Sequence, residues 1–391
     1  MMSKVLFLVA GEQQAEGVEY ALSKGCEVHT LDNNPKNPGH KSADFAHYID
    51  VYAEEHVLEI AEAVKPQAVV NFVSSHGMLT GIKVREKLGL KGINRDAYTT
   101  VSSKNKFRDF LVKNKMPSPK VYEIEEVDKV LENHDLIAKP VNGGGSKGVI
   151  KIDSEKALSS FLESTPVKGE YIIEEYIYYS HRLNGDCFVI DNEVYFMVVG
   201  DYYYDSFNGL VSYATAFPSS YDRNLVESYL SEFVKKINYG TGAMNFEFIV
   251  RDEELYCIEI NPRHSGNYIH EVISQVYGIR AAELNVDILL NQKTQSELVE
   301  INQSSNHVKT KCYATVLMYS EVEGIYEKMK ISDDIKSCII KLIEFKVKGD
   351  KVNRFETLYD RVALAVMEFE SQSQMNSLLL SFRDYYKVEL R

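Results

Sequence analysis

Short apolar runs alternate along the first 95 residues with stretches whose apolar positions recur every three or four residues. VLFLVA (5–10), EVHTLD (27–32) and AVVNFV (68–73) read as strands. AEGVEYALSKG (15–25), HVLEIAEAVK (56–65) and GIKVREKLGL (81–90) read as amphipathic helices, the first ending at Gly25, and NNPKNPG (33–39) reads as a loop. This strand–helix rhythm predicts a small open parallel sheet. A helix is expected to start near Ser102 or Ser103, either a good N-cap, and to stop before Pro117. Strands dominate residues 121–180. More strands follow, then a long helix from about His270 to Leu290. The last 90 or so residues hold apolar strands (CYATVLMYS, CIIKLIEF, RVALAVMEFE) and a final helix near SQMNSLLLSFRDYY. The pattern implies a mixed α/β chain of more than one lobe. The expected divisions are 1–95, 96–300 with a glycine-rich subdomain at about 121–180, and 301–391.

A net charge of −13 argues against nucleic-acid binding, which needs a basic face. Any polyanionic ligand must therefore find local positive charge. The five cysteines (26, 187, 257, 312, 338) are scattered, with no CxxC and no Cys/His cluster, so neither a disulfide framework nor a zinc site is expected. No apolar run approaches the about 18 residues a membrane helix needs, and VLFLVA is read as a strand in preference to a signal peptide. A cytoplasmic protein without membrane partners is the expectation. The glycosylation triplet NQS at 302–304 is read as chance.

Three stretches carry candidate chemistry. IAKPVNGGGSKGVIKI (137–152) places three consecutive glycines between two strands. Without Cβ atoms, such a turn can aim backbone N–H groups inward at phosphate oxygens. Taken alone it reads either as a phosphate flap, with Lys139 on the entering strand, or as an ordinary mobile turn. It is not a Walker A loop, and GEQQAEG after the first strand lacks the dinucleotide fingerprint GxGxxG. YIIEEYI (171–177) is an apolar strand ending in two acids, which reads as a purine-binding edge or as a strand with exposed acids.

NFEFIVRDEELYCIEINPR (245–263) reads as a hairpin turning at RDEE. Symmetry about residue 253 puts Glu247 opposite Glu259, with Asn245, Asn261 and Arg263 on the same face. Opposed like charges destabilise a hairpin. A divalent cation removes the conflict, and Mg²⁺ uses hard oxygens from one or two carboxylates plus substrate phosphates. Arg263 suits bidentate binding of phosphate or carboxylate.

The order Lys104, Lys139 with its glycine loop, EEYI, NFEF and IEINPR resembles the ATP-grasp superfamily, in its carboxylate–amine ligase branch. That branch includes L-amino-acid (dipeptide) ligases and phosphoribosylglycinamide synthetase; biotin carboxylase belongs to the same superfamily. The resemblance runs from residue 1 to roughly 300 and includes the E-x₁₁-E-x-N-x-R spacing. It implies an ATP-grasp fold preceded by an open parallel α/β domain and followed by a C-terminal mixed α/β lobe. It implies ATP and Mg²⁺ (or Mn²⁺) as cofactors, carboxylate and amine substrates (an amino acid among them), an amide formed through an acyl-phosphate intermediate and a homodimer; the alternatives are a phosphoribosylglycinamide-synthetase-like ligase or small-molecule kinase of the same fold, and a non-catalytic nucleotide-binding regulatory protein. By the resemblance, Lys104 and Lys139 meet the phosphates. Gly143, Gly144, Gly145 and Ser146 form the flap. Glu174, with the backbone of Glu175 and Ile177, forms the adenine hinge. Glu247, Glu259 and Asn261 ligate the metal. Arg263 meets the acyl-phosphate or substrate carboxylate, with Arg263 and Lys139 as the catalytic pair. His264 and Asn267 are weak candidate substrate contacts, the histidine reading equally as one merely satisfied by hydrogen bonds, and the Tyr-rich stretch 201–220 is a candidate wall of the acceptor pocket or core packing between lobes. The chain departs from the pattern where many members place an acid for the ribose. The stretch here is YSHRLNGD, so His181, Arg182 or Asp186 would substitute.

Overall fold

The computed structural model describes residues 2–164, 169–204, 207, 209–293, 297, 300–301 and 311–391. The glycosylation triplet lies outside them, and the division expected near residue 300 borders the undescribed stretch 302–310. In the first domain β1 (Lys4–Leu8), β2 (Glu27–Leu31), β3 (Phe45–His47) and β4 (Ala68–Val70) pair in parallel in the order β3-β2-β1-β4. The short edge strand β3 lies in a segment with no strand pattern of its own. The continuous apolar run of β1 follows from burial on both faces. Val5 and Phe7 face Val18 and Ala21 of the first helix, whereas Leu6 and Leu8 face Val57, Ala61 and Val84.

The glycine-rich subdomain is an antiparallel sheet, β5 (Val121–Tyr122), β6 (Leu136–Pro140), β7 (Ile150–Ile152) and β8 (Tyr171–Glu175), in the order β5-β8-β6-β7. The glycine loop joins β6 to β7 as a hairpin. The helix Lys104–Lys113 starts after Ser103, as the sequence implies.

The remaining strands are β9 (His181–Ile190), β10 (Glu193–Tyr203), β11 (Ala214–Phe217), β12 (Gly242–Arg251), β13 (Glu254–Asn261), β14 (Cys312–Tyr319), β15 (Gly324–Ile331), β16 (Ile339–Glu344), β17 (Lys351–Val352), β18 (Arg361–Phe369) and β19 (Tyr386–Leu390). Eight of them form one sheet, β13-β12-β9-β10-β11-β14-β18-β16. The C-terminal segment is therefore less separate than its expected lobe. β14, β18 and β16 extend the central sheet, and their side chains share one apolar core with Phe188, Phe196 and Ile273. A small sheet, β17-β15-β19, hangs from this segment.

The expected helix His270–Leu290 is two helices, Ile269–Tyr277 and Ala281–Leu289, separated at Gly278, whose φ of 73° ends the first. The break redirects the chain. Ala281, Ala282, Val286 and Leu289 pack into the core of the first domain beside Phe7 and Val70, which locks that domain against the central sheet. No helix among the described residues is long and apolar enough to cross a membrane.

Candidate active site

The hairpin β12–β13 reaches the expected pairing by an unexpected route. Its turn is only Asp252–Glu253, both with positive φ (52° and 64°), the geometry of a two-residue hairpin turn. From that turn Arg251 pairs with Glu254 and Phe248 with Cys257. A regular ladder would then set Glu247 opposite Ile258 and turn Glu259 to the other face. A bulge absorbs Ile258 instead, so Glu247 pairs with Glu259 and Asn245 with Asn261. The bulge leaves carbonyls in need of donors. Arg108 supplies them, donating from Nη1 to Cys257 O at 3.2 Å and from Nη2 to Ile258 O at 2.7 Å.

Burial first, then the opposed Glu259, raises the Glu247 carboxyl from 4.5 to about 7. Tyr202 Oη donates to Glu247 Oε1 at 2.9 Å. The orientation of Asn261 follows from its neighbours. Asn245 Nδ2 donates to Gly185 O and to Ser265 Oγ, so Asn245 Oδ1 is the acceptor that receives Asn261 Nδ2 at 3.2 Å. That leaves Asn261 Oδ1 as the end free to act as a ligand. Two carboxylates and an amide oxygen on one face are hard donors suited to Mg²⁺ or Mn²⁺. Among the described residues no cluster of three or more His, Cys, Asp or Glu is arranged for a metal. A cation held there would take its remaining ligands from phosphate oxygens and water.

Two cavities meet at this pair, and both carboxylates line both of them. The first, about 870 Å³ including its mouth, lies between the glycine-rich subdomain and the central sheet. Lys104, Lys139, Gly143, Gly144, Gly145 and Ser146 line one part of it. Ile137, Ile177, Ile249 and Ile258 supply apolar walls of the kind a flat ring needs. Ile177 N–H makes no hydrogen bond among the described residues and is free to meet a base. The flap lies closed. Lys104 Nζ donates to Gly143 O at 3.0 Å, Ser146 Oγ to Leu210 O at 3.1 Å, and Leu358 N to Gly145 O at 3.4 Å.

Glu174 does not line this cavity; its side chain is fully buried. Oε1 accepts from Arg108 Nε at 2.7 Å and Oε2 from Lys139 Nζ at 2.6 Å. Burial opposes its charge, but the two cations outweigh that and hold its carboxyl at about 2. Lys139 is also pulled below its ordinary value, because burial and Arg108 outweigh the attraction of Glu174. The partners thus shift in the same direction. The carboxylate sits between two cations, while Lys139 shares its anion with Arg108. Glu174 is therefore placed to position Lys139, with no surface of its own offered to a base. Glu175 lines the cavity.

Arg182 is the one of the three ribose candidates on this cavity, with its guanidinium over the Tyr204 ring at 4.2 Å. His181 is exposed, and Asp186 is buried against His264 and Ser265.

The second cavity, about 1090 Å³ including its mouth, runs from the acid pair towards β14 and β18. Arg263, Asn267 and, from the Tyr-rich stretch, Tyr202 and Tyr213 line it. His264 does not. It is fully buried, with Nδ1 3.1 Å from Asp186 Oδ2 and its ring against Phe188, so it supports the wall in place of touching a substrate. The motif reading missed Arg108 and Arg361. Arg108 had a signal, lying four residues after Lys104 and thus on one helix face with it. Arg361 had none.

Comparison with known proteins gives these features a common frame. Residues 101–267 match the family model described as the ATP-grasp domain. The chain is 26% identical over 296 residues to the carbamoyl phosphate synthase large chain of Clostridium beijerinckii, an alignment covering 70% of this chain and 27% of that one. It thus spans about a quarter of the length of that relative. The fold superposes on an L-amino acid ligase from Bacillus licheniformis with a TM-score of 0.80 at 16% identity, over 100% and 99% of the two chains. It superposes on the biotin carboxylase domain dimer of the Hydrogenobacter thermophilus 2-oxoglutarate carboxylase, solved with MgADP and bicarbonate, with a TM-score of 0.69 at 16% identity over 100% and 91%.

Proposed function

We propose that the chain, an ATP-grasp enzyme whose ATP-grasp domain spans residues 101–267, is a carboxylate–amine ligase. It forms an amide bond through an acyl-phosphate, releases ADP and phosphate, and takes an amino acid as one substrate. The observation that carries this reading is the position of Glu247 and Glu259 on the wall shared by both cavities. A nucleotide in the first cavity and a carboxylate in the second would meet at that wall. The amino-acid subclass is supported by the likeness to the L-amino acid ligase along the whole chain. A homodimer is part of the reading, supported by the biotin carboxylase domain dimer.

In this mechanism Ile177 N–H and the apolar walls hold the base, while Lys104, Lys139 and the flap amides hold the phosphates. Glu174 keeps the Lys139 ammonium in place. Mg²⁺, held by Glu247, Glu259 and Asn261 Oδ1, would supply charge neutralisation between the phosphates. Arg263 steadies the carboxylate and the charge that develops as its oxygen attacks the γ-phosphorus and ADP leaves. The amine then attacks the acyl carbon, phosphate departs with one carboxylate oxygen, and the amine loses a proton. The closed flap excludes water, which would otherwise hydrolyse the acyl-phosphate.

The test is ADP release from MgATP across single acids and acid–amine pairs, with mass spectrometry of the products. ADP that requires a pair and yields a condensed mass is the expected result. ADP with a single compound and a stable phosphorylated product would make the chain a kinase and overturn the ligase reading.

A further inference from the structure

Arg85, 5% exposed, lies on the helix Met78–Leu88 and lines neither of the two cavities at the acid pair. A guanidinium carries five N–H donors. Here Nη1 donates to Val69 O at 2.8 Å, Nη2 meets only the Met78 sulfur at 4.0 Å, and Nε has no partner. Burial pushes the group from its ordinary 12.5 down to about 10, and no acid among the described residues offsets that. A buried charge left unpaired is costly. The chain nevertheless makes room for it. A Cβ on Gly92 would fall 2.5 Å from Arg85 Nε and Cδ, so the glycine leaves the space that the side chain occupies.

Arg85 lines a third cavity, about 300 Å³ including its mouth, where the first domain meets the central sheet. Asn285 lines it from the helix Ala281–Leu289. This residue is 4% exposed, and among the described residues its side-chain amide makes no hydrogen bond, so Nδ2 is a second free donor on the lining. Asn71 Oδ1 is an unpaired acceptor, but it packs on Gly81, where an added Cβ would fall 2.3 Å from it. Ile93, Pro262 and Leu289 add apolar walls. Charge selects the ligand. Water would satisfy the free N–H groups and leave the buried cation uncompensated. A divalent oxyanion would replace a buried positive charge with a buried negative one. A small anion of single charge balances Arg85 and asks nothing of the apolar walls.

We propose that this cavity is a binding site for a small monovalent anion of the chloride type, held by the Arg85 guanidinium and Asn285 Nδ2. The anion would tie the first domain, through the helix Met78–Leu88, to the central sheet and the helix Ala281–Leu289. It would also stand behind Pro262, which lies on the lining between Asn261 and Arg263. The site does not depend on the ligase reading, and its test reads no turnover.

The test melts wild type and Arg85→Met, followed by circular dichroism, over a titration of sodium chloride against sodium gluconate. Constant ionic strength holds general screening fixed. Wild type should gain a saturable rise of about 2–5 °C, as a ligand that binds only the folded state gives. Arg85→Met should show no saturable rise, and Asn285→Leu should need more chloride for the same rise. Wild-type crystals grown in sodium bromide should show an anomalous bromide peak against the Arg85 guanidinium. Water alone in the cavity, or an equal chloride response in wild type and Arg85→Met, would overturn the assignment. A bromide peak without a chloride-dependent rise in wild type would mean binding at crystal concentration only and would overturn it too. If Arg85→Met does not fold, the wild-type rise and the bromide peak decide together, and the absence of either refutes the site.

Discussion

Replacing Glu174 with Gln removes the carboxylate that, among the described residues, bridges Arg108 and Lys139. The carboxyl sits at about 2 against an ordinary 4.5, which corresponds to about 3 kcal/mol at about 1.4 kcal/mol per pH unit. Removing one partner of a buried ion pair typically costs about 3–5 kcal/mol, because the remaining charge stays desolvated. Arg108 keeps its two carbonyl acceptors at the bulge, which favours the lower end of that range. Glu174→Gln should thus lower the unfolding free energy by about 3 kcal/mol at pH 7, read by urea denaturation followed by circular dichroism. A depressed carboxyl contributes its stability fully above the unfolded value of 4.5 and loses it as pH falls towards 2. The gap between variant and wild type should accordingly be constant above about pH 5 and narrow below it. A second effect should accompany the first. Arg108 ties the Glu174 carboxylate to the Ile258 bulge, so the variant loosens Lys139 and the register of Glu259 together. Affinity for both AMPPNP and Mg²⁺ should fall. A variant within about 0.5 kcal/mol of wild type at pH 7, the range of an ordinary surface change, would refute the reasoning.

Glu247→Gln should reduce ADP release by at least about 100-fold, the scale of losing a group that stabilises transition-state charge, while Tyr202 can still donate to the amide oxygen. In EDTA at pH 8 the same variant should be at least as stable as wild type, because it removes the buried charge and its repulsion from Glu259, which together raise Glu247 to about 7. A loss of stability there would contradict the opposed-acid account. Lys139→Ala should weaken AMPPNP binding by roughly 10–100-fold, as expected for a charge-assisted phosphate contact. Calorimetry showing an unaltered affinity would remove Lys139 from the nucleotide site.

Elements whose burial is set by local pattern are legible in the amino-acid sequence. The apolar residues Val5, Leu6, Phe7 and Leu8 read as a strand in preference to a signal peptide, and the structure covers that strand on both faces. The glycine loop between two strands could only be a hairpin turn. The acid pair is also legible, but by symmetry about residue 253. The chain achieves the same pairing with a two-residue turn plus a bulge at Ile258. The donor that satisfies the carbonyls of this bulge, Arg108, is about 150 residues away in the chain, where no local pattern can point to it. The same holds for Glu174. Its place in YIIEEYI gives no hint that its carboxylate turns beneath the strand to two cations far along the chain. For His264 the sequence leaves open a substrate contact or a histidine satisfied by hydrogen bonds, and packing against Phe188 with a bond to Asp186 makes it the second. The continuation of the central sheet depends on β11 pairing with β14 across more than 90 residues and on β14 pairing with β18, which carries Arg361, across more than 40, beyond the reach of any local pattern.

The central claim is that a carboxylate oxygen attacks the γ-phosphorus at the Glu247–Glu259 wall before the amine arrives. The most direct test supplies the acid labelled with ¹⁸O in its carboxylate, with its amine and MgATP, and measures label in the released phosphate. The account predicts one ¹⁸O per phosphate for each amide formed. Amide formation with unlabelled phosphate would contradict it.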